Sequence, residues 1–218
     1  MAIATGTTHS AIALSRSGLI DYESAWKIQR EIHAAVVSGE RPNSVLLLEH
    51  LSVYTAGRRT QESEKPQDGS PVIDVDRGGK ITWHGPGQLV GYPIVKLARP
   101  TELVGFVREI ESALIATCLE LGLHTQRIEG RSGVWVVDEK GERKVAAIGI
   151  RVAKGVTMHG FALNVCPDLS AYSQIIPCGI SDASVTSMSD ELAAPITIDV
   201  VSPILERHLF ESLSKVSA

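Results

Sequence analysis

The chain has 218 residues, a net charge of −4 at neutral pH and a pI of about 6.0. A nucleic-acid binder would carry a basic footprint, so that class is excluded, and no apolar run approaches the ~20 residues of a membrane span. With 44% hydrophobic and 21% charged residues the composition is that of one globular domain, expected over residues 1–218.

Residues 1–17 lack a basic start followed by a continuous apolar stretch, so no signal peptide is expected and the location is expected to be cytoplasmic. Residues 21–38 place Tyr22, Ala25, Trp26, Ile32, Ala35 and Val36 at helical spacing, which predicts an amphipathic helix stopping near Gly39. After the turn at Pro42-Asn43, the apolar run 45–48 predicts a buried strand, with Glu49, His50, Tyr54, Arg58 and Arg59 beyond its end. Residues 60–70 are polar and turn-rich and read as a surface loop.

The densest chemistry follows in Arg77-Gly78-Gly79-Lys80-Ile81-Thr82-Trp83-His84-Gly85-Pro86-Gly87-Gln88. Glycines let a ligand approach the main chain, and Pro86 fixes a turn. A plain hairpin needs no such clustering of Arg, Thr, His and Gln, so the segment reads as a binding loop between two apolar runs. It is neither a P-loop nor the Gly-x-Gly-x-x-Gly of a dinucleotide fold, which turns the search away from ATP and NAD.

Residues 89–97 predict a strand. Thr101 and Glu102 then predict the start of a helix with Leu103, Val107, Ile110, Leu114, Cys118 and Leu121 on one stripe, ended by Gly122. Residues 134–137, 144–152 and 156–165 are β-rich and separated by tight turns, an antiparallel meander. Residues 170–189 read as irregular, and residues 198–213 as a final amphipathic helix. Helices stand apart from a run of strands with no βαβ alternation, which predicts an α+β fold with a mixed, largely antiparallel central sheet flanked by helices.

Three cysteines in scattered positions argue against a disulfide framework. Cys118 lies on a helical stripe and Cys166 at the end of an apolar strand, so both read as small buried hydrophobes. Cys178, between Pro177 and Gly179, sits outside any periodic pattern, with backbone amides at hand, as a nucleophile requires. A thiolate needs a base or cation, for which His84, His159 and Lys144 are candidates. By period two Lys144 shares a strand face with Ala146, Ile148, Ile150 and Val152, which predicts partial desolvation and a lowered pKa. No close-spaced ligand pair supports a metal site from His84, His159 and Cys178, so no metal is expected.

Taken together, the glycine segment, Lys144-Val145-Ala146-Ala147-Ile148-Gly149, His159-Gly160-Phe161-Ala162-Leu163-Asn164 and Pro177-Cys178-Gly179-Ile180 resemble, in order, the motifs of the octanoyltransferases of lipoate synthesis. Leu47-Leu48-Glu49-His50 and Val53-Tyr54-Thr55-Ala56-Gly57-Arg58 add to the likeness, which covers nearly the whole chain. The resemblance implies the fold of the biotin and lipoate protein ligase catalytic domain. It implies transfer of an octanoyl group from octanoyl-acyl carrier protein to a lysine of lipoyl domains, those of 2-oxoacid dehydrogenase acyltransferase subunits and of the glycine cleavage H protein. It implies Cys178 as the acyl-thioester nucleophile and Lys144 as the residue that lowers the thiol's pKa and shuttles protons. It also implies an acyl pocket formed by Arg77, Gly78, Gly79, Lys80, Ile81, Thr82, Trp83 and His84, by Ala147, Ile148 and Gly149, and by Gly160, Phe161 and Ala162.

The chain departs from the family at Leu51-Ser52, where proline is common after Glu-His, and at Trp83, where phenylalanine is common; the bulkier ring bears on acyl length. No cofactor and a monomer are expected. Arg58, Arg59 and Arg151 are expected to steer acidic partners. The rival readings are an ATP-dependent lipoate or biotin ligase, which needs no cysteine, and a non-catalytic acyl-carrier binding module.

Overall fold

The computed structural model describes residues 12–99, 101–175 and 183–218. Its main sheet joins β1 (Ala13–Ile20), β2 (Ser44–His50), β6 (Gln88–Ile94), β10 (Val156–Asn164), β9 (Gly141–Ala153), β8 (Arg131–Asp138) and β7 (Gln126–Ile128), in that spatial order, with β11 (Ser184–Val185) beside β9. A smaller sheet pairs β4 (Val72–Asp74), β3 (Val53–Ala56) and β5 (Thr82–His84). The helices are α1 (Tyr22–Ser38), α2 (Leu103–Glu120), α3 (Met188–Leu192) and α4 (Ile198–Leu213).

The expected α+β class and the antiparallel meander are present: β8, β9 and β10 pair antiparallel in chain order. The expectation of no βαβ alternation is corrected. Strand β1 runs parallel to β2 with α1 between them, a single βαβ crossover at the sheet edge. The half-exposed, polar β1 gave no clear period, which hid the unit.

Both faces of the sheet are covered. Leu46 and Leu48 of β2, Val90 and Tyr92 of β6 and Ala162 of β10 face α1 through Ala25. Their neighbours Val45, Leu47, Leu89, Phe161 and Leu163 point the other way, against Phe106, Ile110 and Leu114 of α2 and Leu205 and Leu209 of α4. Each of these large side chains is worth about 1.5–3 kcal/mol when fully buried.

Local chemistry sets the helix ends. Asp21 caps α1 by accepting from the Ser24 amide at 2.9 Å, and Gly39 closes it in the left-handed conformation. At α2 the expected Thr101 cap is corrected: Glu102 holds the cap position and no side chain caps the helix. Its fully buried face centres on Phe106, Ile110, Ala113 and Leu114, leaving Leu103 exposed at 36%. That face also buries Glu111, whose carboxylate accepts from Arg108 at 2.7 Å, from Arg127 at 2.9 Å and from the Gly133 amide at 3.0 Å.

Residues 60–70 are more than a surface loop. They contain a 3-10 turn, Glu62–Glu64, and the buried Glu64 pairs with Lys80 of the glycine segment. Residues 170–189 also hold more order than expected: a 3-10 turn at Leu169–Gln174, then β11 and α3.

Gly160 of β10 faces the backbone of β6, where an added Cβ would lie 1.9 Å from the Gly91 oxygen. Gly160→Ala is therefore expected to destabilise the chain by several times the ~1 kcal/mol that Asp21→Ala costs through its cap. Urea unfolding of the two variants checks this, and equal losses would contradict the close approach of β6 and β10.

Candidate active site

A cavity of about 270 Å³ opens between the α1 face of the meander and the glycine segment. It lies just under the ~300–1,000 Å³ of drug-sized pockets, a size for one small, slender ligand.

Arg77 positions the upper wall. Its guanidinium donates to the carbonyl of Lys80 at 2.8 Å and of Gly78 at 3.1 Å, and to the Thr55 carbonyl and hydroxyl at 2.8 and 2.9 Å. One planar fork thus pins the loop to itself and to β3. The Gly78 amide then donates to the Ile150 carbonyl of β9 at 3.2 Å. Gly149 makes room for this docking, since a Cβ there would lie 3.0 Å from the Arg77 side chain.

Lys144 stands on β9 at 6% exposure. Its expected face is corrected. The pairing of β8 with β9 steps from Val134–Ala146 to Trp135–Lys144, so Val145 is an extra residue, a β-bulge. The bulge leaves Val145 and Ala146 both in the core and turns Lys144 into the cavity with Ala147 and Gly149. Its ammonium lies 4.5 Å from the Trp135 ring centroid, and it has no ion pair among the described residues. Strand β11 runs beside it, the Thr186 amide donating to the Lys144 carbonyl at 3.0 Å.

The floor comes from paired small residues, Ala147 opposite Ala162 and Gly149 opposite Gly160. They divide into two kinds. All four line the cavity, but at Gly149 and Gly160 a side chain would meet Arg77 or backbone.

Of the expected site residues, Arg77, Gly79, Lys80, Thr82, His84, Lys144, Ala147, Ile148, Gly149, Gly160, Phe161 and Ala162 line the cavity together. Gly78, Ile81 and Trp83 do not. Strand alternation in β5 sends Thr82 and His84 inward, while Ile81 and Trp83 pack outward with Tyr54, Tyr172 and Ile175. Trp83 therefore does not line this cavity. Cys178 lies outside the described residues. Its flanks are placed: Ile175 packs with Ile81 and Trp83, and Ser184 and Val185 pair with Arg143 and Lys144.

Sequence reasoning missed Tyr22, Arg59, Val90, Tyr92, Gly130, Arg131 and Ser132 as cavity walls. Tyr22 and Tyr92 read as ordinary core residues, and nothing in the local pattern marked residues 130–132. Cys166, expected to be buried, is exposed; it follows β10, beyond the end of the sheet. Cys118 is buried, and burial pushes its thiol up to about 12.

The cavity gathers cations at Arg59, Arg77, Lys80, Arg131 and Lys144, with no carboxylate lining it among the described residues. Arg151 is not free to steer a partner, because Asp76 bridges it to His159, whose Nε2 is 2.7 Å from Asp76 Oδ1. Arg58 and Arg59 are exposed. No group of three or more His, Cys, Asp or Glu residues among those described could hold a metal ion. No helix among them is long and apolar enough to cross a membrane.

Burial favours the neutral form of His50, His84 and His159. Burial pushes His84 down to about 3, with nearby His50 acting in the same direction. Burial pushes His50 down to about 4, against the opposing bond to the Ile20 carbonyl. His159 is also lowered, chiefly by burial, despite its bond to Asp76.

The family described as Lipoyl protein ligase A/B catalytic domain matches residues 21–210. A Salinispora tropica protein named octanoyltransferase is 60% identical over 205 residues, covering 93% of this chain and 96% of that one. A Streptomyces coelicolor octanoyltransferase is 53% identical over 235 residues, covering 89% of each. Among solved structures, a bipartite lipoate protein ligase from Thermoplasma acidophilum superposes with a TM-score of 0.71 at 17% identity, covering 93% of this chain and 82% of that one. The fold is thus that of the lipoate protein ligases. The chain belongs to the lipoyl protein ligase A/B catalytic family, among its octanoyltransferases, and is an acyltransferase.

The buried imidazoles predict an acid sensitivity. In the unfolded chain they protonate near ~6.5, but in the folded chain His50 and His84 resist until about 4 and about 3. Their stabilisation is full above ~6.5 and falls with pH below it, by roughly 1.4 kcal/mol per pH unit for each imidazole. Urea midpoints should fall steadily between about pH 6.5 and 4.5, and His50→Gln should remove one imidazole's share of the slope. A flat profile over that window would contradict neutral burial.

Proposed function

We propose that this enzyme moves an octanoyl group from octanoyl-acyl carrier protein to a lysine of a lipoyl domain, through a thioester on Cys178. The observation that carries the reading is Lys144: a buried amine, without an ion pair among the described residues, opening on a cavity floored by Ala147 and Ala162. The placement of both flanks of the Cys178 segment, beside the glycine loop and beside Lys144, supports the same reading.

In the first half-reaction Lys144 takes the Cys178 proton, and the thiolate attacks the donor thioester. The C–S bond to the carrier breaks, and Lys144 returns the proton to the departing carrier thiolate. In the second, the acceptor amine attacks the acyl-enzyme, a C–N bond forms, and the surplus amine proton passes through Lys144 to the Cys178 sulfur as the C–S bond breaks. A thioester already holds the free energy that amide formation needs, so no nucleotide enters.

Residues 1–218 act as one catalytic domain, a monomer working in the cytoplasm without metal or cofactor. The acceptors are lipoyl domains of 2-oxoacid dehydrogenase acyltransferase subunits and of the glycine cleavage H protein. Arg58 and Arg59, exposed near the mouth, suit acidic partners.

Intact-mass spectrometry with peptide mapping, after mixing with octanoyl-carrier, is expected to place one octanoyl group on Cys178. Cys178→Ser should carry none and lose transfer. Retained transfer that depends on ATP would instead make the chain a ligase, and carrier binding without an adduct would make it a binding module. Lys144→Met should slow acyl-enzyme formation by on the order of 10²–10⁴-fold near neutral pH and recover as the pH rises. An unchanged rate would remove Lys144 as the base.

Ala162→Leu should shift the preference among acyl donors toward chains shorter than octanoyl. Unchanged chain preference in a folded variant would mean that the acyl chain lies elsewhere.

A further inference from the structure

His84 lines the cavity, yet the dyad chemistry makes no use of it. Its protonation pattern follows from a chain of hydrogen bonds that begins at β11. The Thr186 carbonyl only accepts, so Asn164 must turn its amide nitrogen toward it, at 2.9 Å. Asn164 Oδ1 then accepts from Gln88 Nε2 at 2.8 Å. The same nitrogen faces the Tyr172 hydroxyl at 3.1 Å, and that hydroxyl donates onward to the Trp83 carbonyl at 3.2 Å.

With acceptors around its nitrogen, Gln88 presents Oε1 to His84 Nδ1, 2.7 Å away. A carbonyl oxygen cannot donate, so Nδ1 carries the proton and Nε2 holds a lone pair. The surroundings oppose a second proton. His84 is buried, the Tyr22 ring stacks on it at 6.0 Å, the His50 ring lies at 5.6 Å, and the Arg77 guanidinium adds positive charge. Among the described residues the ring's one hydrogen bond is that from Nδ1 to Gln88, which leaves Nε2 unused.

A lone pair facing a cavity lined with cations calls for a neutral N–H or O–H donor. The proposed reaction brings one in its reacting atoms. The acyl thioester offers only acceptors, whereas the acceptor lysine's amine offers N–H.

We propose that His84 is a catalytic residue of the second half-reaction: Gln88 and Asn164 hold it as the Nδ1–H tautomer, and its Nε2 accepts a hydrogen bond from the incoming neutral amine, aiming that nitrogen's lone pair at the acyl carbonyl. The inference rests on the transfer to lysine proposed above. His84 takes no net proton. The surplus amine proton still leaves through Lys144 to the Cys178 sulfur. Gln88 and Asn164 act as positioning residues, and the cationic lining favours the uncharged amine over its ammonium form.

Two measurements on the full chain test this. Histidine ¹⁵N NMR between about pH 5.5 and 8 should show His84 neutral throughout, with Nδ1 protonated and Nε2 bare, and Gln88→Leu should abolish that single tautomer. A His84 that titrates in this range, or that carries its proton on Nε2, overturns the proposal. In single turnovers from isolated octanoyl-enzyme to a lipoyl domain, His84→Leu should slow aminolysis about tenfold or more, and by a clearly larger factor than it slows octanoyl-enzyme formation.

His84→Gln, which keeps an acceptor near the Nε2 position, should recover part of the loss, and neither variant should shift the pH profile set by Lys144. Equal slowing of both half-reactions, or a shifted profile, overturns the proposal. A wild-type chain that forms no octanoyl-enzyme at all overturns the transfer reading and the amine partner with it, whereas the NMR result bears on the tautomer alone.

Discussion

The site depends on a single guanidinium. Arg77 is buried, and its donors reach Thr55 of the small sheet and the carbonyls of Gly78 and Lys80 in its own loop. Without that fork the glycine segment would have polar carbonyls facing inward and no partner for them. With it, the loop becomes a rigid lip that hydrogen-bonds to β9 at Ile150 and encloses a cavity against the meander. Gly57 and Gly149 are the counterpart of this arrangement, each lacking a side chain where the Arg77 group passes.

A second constraint is electrostatic. A chain of net charge −4 concentrates cations around one cavity, which no carboxylate lines among the described residues. Burial disfavours charge on His50 and His84, so positive charge at the cavity comes from the guanidinium groups of Arg59, Arg77 and Arg131 and from Lys80. Such a field favours a thiolate, a developing oxyanion and an uncharged amine, the species that acyl transfer to lysine requires. Acidic residues still serve the site from behind. Glu111 fixes the Gly133 amide beside the Lys144 side chain, Glu64 holds Lys80, and Asp76 holds His159 and Arg151.

Much of this was legible in the sequence. The meander, α1 and α4 followed from periodicity, and the clustering of glycine with Arg77 and His84 marked the loop before any coordinate did. What periodicity hid was local and physical. The bulge at Val145 reversed the face of Lys144, and a bulge has no signature in a strand of alternating apolar residues. Strand pairing within the glycine segment sent Ile81 and Trp83 outward, an alternation masked by reading residues 77–88 as one loop. Strand β1 was too exposed to show a pattern, and β7 too short. The pairs Glu64–Lys80 and Glu111–Arg127 join residues distant in sequence, so no local spacing marks them.

The small residues of the floor carry a similar lesson. Gly149, Gly160, Ala147 and Ala162 look alike as room for an acyl chain and all four line the cavity, but the two glycines also admit Arg77 and the β6 backbone. The shape of the cavity is therefore a consequence of how the loop docks, and loop docking is where the account is most exposed. Amide hydrogen exchange of Arg77→Lys against the parent chain addresses it directly. Lysine keeps the charge but loses the fork, so exchange should quicken at Gly78 and through residues 79–84 while α2 and α4 remain as protected as before. Unchanged protection of the glycine segment would contradict the claim that Arg77 holds the site together.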